Sequence, residues 1–519
     1  MKTKYNFFLP SIADTLFLGI FLRLSFQAGK SLLDDADTGY HIRVGEFILD
    51  TLVVPKSDIF SYTSPPLPWT VHEWLSEVMM ALVHRAFGLT GVVIFFSLLV
   101  ALVYYLLLKT MRIEKRNIFL ATLLVALAAS SSQLHWLARP HIFSLLLTVI
   151  WYHMLDAYQY KEKNYLYFLP ALMFLWVNLH GGFMFGFTLL AVYLIGNATT
   201  FLFTRDAEKQ NHGKKFRLLA ITTIACLMTA VINPSGYHIL LFPFKLTSDK
   251  FLIDSIMEYL SPDFHGSMPF RYLLFLTIGI FAISKDRPSF IELILIIGVA
   301  HMALYSVRHV PLFAIIATPI LLRQADLLLE RADGAWITFL QRRSEGISRI
   351  DESSKGHLWP ILSVLVVCYF AANGKIEYSF DEKLKPVRAV EFLKRESLAG
   401  NMFNDDEFGD YIIYAAWPKY KVFIDGRIDM YRERIKEFQQ VRNVQPGWED
   451  IINKYNINWI IYNANSSLSL LLMERTDWRL IYADKVANIF VKNIPQNQAI
   501  IDKYPDVKLV IEKDKDSPN

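Results

Sequence analysis

The sequence is poor in the features that mark disulfide-bonded or nucleotide-dependent soluble proteins. Its two cysteines, Cys226 and Cys368, both lie inside apolar segments, which argues against a disulfide framework. The net charge of +4 over 519 residues is too small to indicate a nucleic acid as partner. The chain contains neither an internal repeat nor a glycine-rich nucleotide-binding motif. These absences argue against a disulfide-bonded protein, a nucleic-acid-binding protein and a nucleotide-dependent protein.

Hydrophobic residues make up 53% of the chain and aromatic residues 14%, with a mean hydropathy of +0.29. A composition of this kind is typical of a polytopic α-helical membrane protein with Trp and Tyr at the membrane interfaces. The apolar runs predict about eleven transmembrane helices. Several runs are shorter than the roughly 20 residues of a full span, so the count is good to about two. The runs are 7–28, 89–108, 118–134, 142–158, 165–179, 183–203, 217–232, 270–284, 289–305, 310–323 and 358–372.

Lys and Arg are concentrated in alternate loops, which predicts the orientation of the chain. No small-residue cleavage site follows the first apolar run, so we expect a retained signal anchor with a cytoplasmic N-terminus. The positive-inside rule then makes the basic loops cytoplasmic, and an odd number of spans places the C-terminal region outside. These loops are 109–116, 159–164, 204–216, 285–288 and 324–357. The expected location is the plasma (inner) membrane.

The sequence changes character after about residue 373, where charge rises and long apolar runs end. We expect a membrane domain over 1–373, with a structured first outer loop at about 29–88, and a small extracytoplasmic α/β domain over 374–519. Period-2 and period-3.6 patterns predict the elements of the second domain. They are a helix at Val387–Leu393, strands at Lys421–Ile424 and Trp459–Tyr462, a hairpin of Trp478–Ala483 with Val486–Lys492, and a disordered tail from Glu512 to Asn519.

Three carboxylates, Asp34, Asp35 and Asp37, follow the first apolar run and therefore emerge at a membrane surface. Charges in such a place are expensive and usually functional. Asp37 could cap the helix predicted at Asp37–Leu52. One cap needs only one Asp, however, and an apolar wall would raise a carboxyl pKa and improve it as a base. We therefore predict Asp37 as a catalytic base and Asp35 as its support. No cofactor is firmly implied, although this pair could bind a divalent metal.

The remainder of the first outer loop supplies further polar residues. His72-Glu73-Trp74 opens a second predicted helix, Val71–Phe87, but no histidine follows four residues later, so the zinc-protease motif is absent. We expect Tyr40, His41, His72 and Glu73 to support the loop or to contact an acceptor substrate of the chemistry that Asp37 would catalyse, and no metal site is predicted there.

Imidazole and guanidinium groups recur at the outer ends of several predicted spans. They could be snorkelling side chains that hydrate the helix ends. The inner ends, however, carry mostly Lys and Arg and few His, and a phosphate-binding surface explains that asymmetry better. The predicted phosphate ligands are Arg139, His141, His180, Arg308 and His309.

Together these features resemble the GT-C type membrane glycosyltransferases. Asp35-Ala36-Asp37-Thr38-Gly39-Tyr40-His41 is similar to the Asp-x-Asp-Tyr-His segment of glycosylphosphatidylinositol mannosyltransferase I. The whole chain looks most like bacterial members of the superfamily, with His72-Glu73-Trp74-Leu75 and Phe423–Tyr431 as shared segments. Within the latter, Asp425, Arg427 and Asp429 could contact substrate or only hold a turn. Glu407–Tyr411 is similar to the Trp-Trp-Asp-Tyr-Gly segment of oligosaccharyltransferases but lacks its tryptophans.

The resemblance implies an enzyme that moves a sugar from a polyprenyl-phosphate-linked donor to a glycan, lipid or protein acceptor on the extracytoplasmic side. Its expected partners are that donor, the acceptor and membrane lipids, with no nucleic acid. One alternative is a ligase that transfers a whole lipid-linked glycan, which would not need the acidic pair. The other is a lipid or glycan transporter without chemistry, which should show broken spans in symmetric halves.

Overall fold

The computed structural model describes residues 8–112, 117–203, 207–354 and 357–510, and the chain forms two compact units. The helical unit comprises Met1–Gly29 and Val93–Glu377, and the mixed unit comprises Lys30–Val92 and Tyr378–Asn519. The predicted first outer loop thus groups with the C-terminal region, although we had expected it to be part of the membrane domain. The predicted disordered tail lies outside the described residues.

The helical unit is built from apolar helices. Several begin with side-chain caps: Ser11 Oγ accepts from the N–H of Asp14, whose carboxylate accepts from the N–H of Ser11, and Ser289 and Glu292 repeat this capping box. The α-helices are Ile12–Arg23, the part of Trp74–Arg112 from Val93 on, Ile118–Ser132, His141–Lys161, Leu169–Leu179, Phe183–Phe203, Ala207–Ala230, His238–Thr247, Lys250–Ser255, Phe270–Ile283, Phe290–Tyr305, Val310–Arg331, Ala335–Ser353 and Leu358–Ala372. A π-helix, Leu24–Ala28, and 3₁₀ segments at Gln133–His135, Leu166–Phe168, Met257–Tyr259 and Val307–His309 complete it.

The protein is a multi-pass membrane protein. Within the described ranges, five helices are long and apolar enough to cross a membrane, and a sixth span results if Ala335–Ser353 and Leu358–Ala372 act as one. The five are Ile12–Leu33, Trp74–Met111, Ile118–His135, Phe183–Phe203 and Val307–Arg331. Four shorter apolar helices accompany them: Leu166–Leu179, His238–Thr247, Phe270–Ile283 and Phe290–Tyr305. The count of eleven spans stays a prediction, as do the orientation and the location.

The mixed unit contains a four-stranded sheet in the order β1-β2-β4-β3. β1 (Asn401–Asn404) runs parallel to β2 (Ile457–Asn463), and β4 (Ala487–Lys492) is antiparallel to both β2 and β3 (Trp478–Ala483). The register places the apolar pair Phe403 and Ile460 opposite each other. The helices of this unit are Asp37–Thr51, the part of Trp74–Arg112 up to Val92, Val387–Glu396, Asp406–Ala416, Ile428–Tyr431, Glu433–Arg442, Trp448–Lys454, Ser467–Glu474 and Gln498–Lys503, with 3₁₀ segments at Gly29–Leu33 and Pro495–Asn497.

One predicted strand, Lys421–Ile424, is absent, and that prediction was wrong. Val422 forms only an isolated bridge to Ser61. The side chain of Asn404, at the end of β1, takes the place of a neighbouring strand. It accepts from the N–H of Phe423 at 2.7 Å and donates to the carbonyl of Ile424 at 2.7 Å. Because these backbone groups are already bonded, the segment needs no ladder.

Candidate active site

The acidic stretch lies at the beginning of a helix. Asp37 is the first residue of helix Asp37–Thr51, and Asp35 Oδ1 accepts a hydrogen bond from its N–H at 2.9 Å. Negative groups are stabilised at a helix N-terminus, where backbone N–H groups are unpaired. Asp35 therefore stabilises the first turn of the helix and holds the backbone of Asp37 in place.

A second helix, Asp406–Ala416, packs against this one at close range. A Cβ on Gly39 would lie 2.8 Å from Cβ of Tyr414 and 3.1 Å from the carbonyl oxygen of Asp410. Gly39 thus allows the two helix backbones to approach within a distance that any larger residue would prevent. This contact, between segments more than 350 residues apart in the chain, brings Asp410 to the acidic stretch.

Asp37 and Asp410 meet around Gly426. The N–H of Gly426 donates to Asp410 Oδ1 at 2.9 Å. A Cβ added to Gly426 would collide with Oδ1 of Asp37 and would lie 2.8 Å from Oδ2 of Asp410. Asp410 is 2% exposed, whereas Asp37 is half-buried. The two carboxylates therefore form a pair with one buried and one accessible member, which we call the carboxylate pair.

Burial raises the pKa of Asp410 well above its ordinary value, and the negative charges of Asp37 and Asp425 raise that pKa further. Carboxylates this close titrate as a unit, because both cannot easily carry charge. Asp410 consequently keeps a proton over a wider pH range than a free carboxyl would.

A buried ion network supports the turn that carries Gly426. Arg427 donates to Asp425 through Nε at 2.7 Å and Nη2 at 2.6 Å, and Nη2 also donates to Asp58 at 2.8 Å. Burial acts to raise the pKa of Asp58, but Arg427 together with hydrogen bonds from Ser61 and Phe60 outweighs it, so the net shift of this pKa is downward. The guanidinium lies 4.4 Å from the ring centre of Trp69. Asp425 and Arg427 thus hold the turn, which was one of the two roles that the sequence allowed for them.

The predicted first-loop residues form a further cluster in the mixed unit. His41 is hydrogen-bonded through Nδ1 to Glu77 Oε1 at 3.0 Å, and its Nε2 lies 3.7 Å from Glu73. His72 Nε2 is 3.6 Å from Glu73. Burial raises the pKa of Asp429 to about 6, against the opposing effect of His72 and Arg427. Tyr40 is buried, with its ring beside that of His41.

This cluster has the spacing of a metal site. Within the described part of the chain, His41, Glu73 and Glu77 are the group of at least three potential ligands whose donor atoms all lie within 4.8 Å of one another.

The predicted phosphate ligands lie in the helical unit, where several of them surround a carboxylate. Arg139 Nη1 donates to Glu258 Oε1 at 2.7 Å. The guanidinium of Arg308 stacks 4.5 Å from the ring centre of Tyr259, the residue that follows Glu258 in the chain. Burial acts to raise the pKa of Glu258, but Arg139 and Arg308 outweigh it and lower that pKa to about 2. We call Arg139 and Arg308 the cationic cluster, and His141 lies beside it.

Hydrogen bonds indicate which ring nitrogen carries the proton in the accompanying His180 and His141. The N–H of Gly182 donates to Nδ1 of His180 at 2.9 Å, so a neutral His180 carries its proton on Nε2 and can donate from there. The rings of His180 and His141 are 6.5 Å apart. His141 donates from Nε2 to the carbonyl of His135 at 2.8 Å, and the Nδ1 of His309 lies 3.3 Å from the carbonyl of Met302.

Three residues that complete these sites were missed from the sequence. Glu77 follows Glu73 by one helical turn, so its position on the same face was foreseeable. Asp410 lies in the segment Glu407–Tyr411, but nothing in the spacing connects it to Asp37. Glu258 has no sequence signal apart from being acidic in a predicted outer loop.

Comparisons with solved structures identify the fold. The Archaeoglobus fulgidus oligosaccharyltransferase in the apo form superposes with a TM-score of 0.58 at 10% identity, covering 94% of this chain and 74% of that one. The oligosaccharyltransferase AglB from the same organism, in complex with an inhibitory peptide and a dolichol-phosphate, gives 0.52 at 12% identity, covering 86% and 69%. ArnT from Cupriavidus metallidurans bound to undecaprenyl phosphate gives 0.46 at 12%, covering 93% and 98%.

No protein-family model and no curated protein matches the chain. The structural likeness nevertheless confirms the resemblance at the level of fold: the chain has the GT-C fold of membrane glycosyltransferases.

Proposed function

We propose that this chain, which has the GT-C fold, is a glycosyltransferase that moves a sugar from a polyprenyl-phosphate-linked donor to an acceptor on the extracytoplasmic side of the membrane. The observation that carries the proposal is the carboxylate pair at Gly426, because transfer to a hydroxyl or amine requires a positioned base. The fold agrees with this reaction, and AglB was solved with a dolichol-phosphate, a lipid phosphate of the kind that we propose as the leaving group.

In this proposal Asp37 is the base and Asp410 is a positioning residue. Asp410 keeps a proton in its buried site, so the pair carries its negative charge on the accessible member. The carboxylate of Asp37 takes the proton of the acceptor group as the bond between that group and the sugar forms. Asp35 holds the first turn of the helix, and the Arg427 network holds Gly426 against both carboxylates.

The cationic cluster binds the donor phosphate. Arg139 and Arg308 supply permanent charge, and Arg is suited to phosphate because its planar fork bonds two oxygens at once. His180 supplies a neutral donor. The carboxylate of Glu258 already lies among these groups, which supports their affinity for an anion. Stabilisation of the departing phosphate by such groups would favour breaking of the bond to the sugar.

Two amide substitutions test the roles of the carboxylate pair. Asp37→Asn should reduce transfer by about two orders of magnitude, typical of losing a general base. Asp410→Asn should reduce it less than about fivefold, because an amide imitates the protonated carboxyl and can still accept from the N–H of Gly426. Asp50→Asn, on the exposed end of the same helix, is the matched control and should leave the rate unchanged.

The assay follows release of free polyprenyl phosphate from a panel of polyprenyl-phosphate sugars by mass spectrometry, with the purified chain in proteoliposomes and native membrane extract as the source of acceptor. This readout is common to every sugar and acceptor. Transfer at a normal rate by a folded Asp37→Asn protein would refute the assignment.

A further inference from the structure

The first outer loop contains a buried group of metal-ligand type beside the carboxylate pair. Helix Asp37–Thr51 supplies His41, whereas Glu73 stands just before helix Trp74–Arg112 and Glu77 lies in its first turn. One imidazole nitrogen and one oxygen of each carboxylate lie within 4.8 Å of one another. Ligands of one tetrahedral metal with bonds of about 2.0–2.1 Å are roughly 3.4 Å apart. Small side-chain rotations would bring the three groups to that spacing.

The group is held by close packing, and two of its three members are buried. His41 is 1% exposed and Glu77 is 2% exposed. A Cβ on Gly45 would collide with the backbone carbonyl of Glu77 and would lie 2.8 Å from Cβ of Ala81. The two helices therefore touch backbone to backbone one turn from the group, which fixes the positions from which His41 and Glu77 project.

The second observation is an unsatisfied ligand atom. Oε2 of Glu77 is fully buried and has no hydrogen-bond partner in the described part of the chain. A buried carboxylate oxygen without a partner is costly, and a buried carboxylate costs more unless positive charge compensates it. His41 lies between the two carboxylates, with Nδ1 3.0 Å from Glu77 and Nε2 3.7 Å from Glu73, so among the described residues the ion pair of Glu77 is with an imidazole and not with a permanent charge.

We propose that His41, Glu73 and Glu77 bind one divalent transition-metal ion. Two carboxylates and an imidazole suit Zn²⁺ or Mn²⁺, whereas Mg²⁺ and Ca²⁺ prefer oxygen ligands throughout. The ion would neutralise both carboxylates and satisfy Glu77 Oε2. It would also link the two helices of the loop. The link would lie one helical turn from Asp37, since His41 follows Asp37 by one turn on the same helix face. The proposal does not depend on the proposed glycosyl transfer.

The test is metal binding by the full-length chain, purified through a tag without histidine and stripped with a chelator. The stripped protein is dialysed against micromolar Zn²⁺, Mn²⁺ or Mg²⁺, and bound metal is counted by mass spectrometry while Tm is followed. We expect about one equivalent of Zn²⁺ or Mn²⁺ and little Mg²⁺, with Tm rising with metal concentration because the ion binds the folded state. Substitution with Co²⁺ should give the visible absorption of a nitrogen- and oxygen-ligated site.

Glu77→Gln should weaken the affinity about 100-fold or more, as expected for loss of a ligand. Glu46→Gln is the matched control, because Glu46 lies on the helix of His41 and pairs with His84 of the other helix at 3.1 Å, yet within the described residues it belongs to no group of three potential ligands. Should Glu77→Gln fail to fold, the wild-type Co²⁺ spectrum and the metal count of His41→Gln decide the question. Absence of bound metal and of any Tm shift in the wild type, or equal uptake by Glu77→Gln, would overturn the proposal.

Discussion

A single methyl group placed between Asp37 and Asp410 should abolish the proposed transfer activity without unfolding the chain. In Gly426→Ala the added Cβ would collide with Oδ1 of Asp37 and lie 2.8 Å from Oδ2 of Asp410. The backbone of Gly426 is outside the left-handed region, so alanine introduces no backbone strain. The clash is thus confined to two carboxylate ends, of which Asp37 is the more accessible.

The size of the effect follows from the displacement. Non-bonded carbon contacts are comfortable from about 3.5 Å, so the carboxylate of Asp37 must move by about 1 Å. A misplacement of that size at a reacting group costs about 100-fold in rate, equivalent to about 2.7 kcal/mol of transition-state stabilisation. Because Asp37 can rotate away, stability should change by less than about 1 kcal/mol.

The measurement is the polyprenyl phosphate release assay, with Tm recorded on the same preparation. Gly298→Ala is the control, since nothing lies within 4 Å of a Cβ at that helical position, and it should retain full activity. A folded Gly426→Ala protein with wild-type activity would show that Asp37 does not act from the position next to Asp410, and the proposed mechanism would have to be abandoned.

Three further outcomes are expected. Arg427→Met should lower the free energy of unfolding by about 3–5 kcal/mol, because it leaves Asp58 and Asp425 buried and unpaired; an unchanged denaturation midpoint would contradict this. The pKa of Asp58 is lowered in the folded state, where Arg427 and the hydrogen bonds to Asp58 together outweigh burial, so its stabilising effect is complete above the unfolded value of about 3.9 and is lost as pH falls through the lower folded value. Asp58→Asn should therefore remove part of the acid sensitivity in pH-dependent unfolding. Glu258→Gln should raise the affinity for a fluorescent polyprenyl phosphate about tenfold by removing a competing anion; Asp263→Asn, in the same loop but exposed, is the control, and equal affinities would exclude Glu258 as a competitor.

Local patterns in the sequence were enough for the features that depend on short-range interactions. The apolar runs predicted helices, and each falls on helical structure within the described ranges. This agreement is expected, because an apolar helix is formed by consecutive residues of the chain. The helix at Asp37 begins where the acidic residues predicted it. The hairpin Trp478–Ala483 with Ala487–Lys492 was likewise foreseen from alternation around a turn.

Long-range pairing was beyond the reach of these patterns. Lys421–Ile424 has the apolar pattern of a buried strand, but Asn404 satisfies its backbone through a side chain that no local rule anticipates. The short strand Asn401–Asn404 was missed, since four residues carry too little periodicity to identify.

The sequence by itself determined that this is a polytopic, helix-rich membrane protein with an acidic motif after its first apolar run and a charged α/β region at its end. Only the tertiary structure decided which groups meet. Asp410 reaches Asp37 because Gly39 and Gly426 leave room for two backbones, Glu258 reaches Arg139 across more than a hundred residues, and Glu77 turns toward His41 because Gly45 lets two helices touch. The physical reason is that burial and charge pairing depend on distances in space, which a linear spacing of residues does not contain.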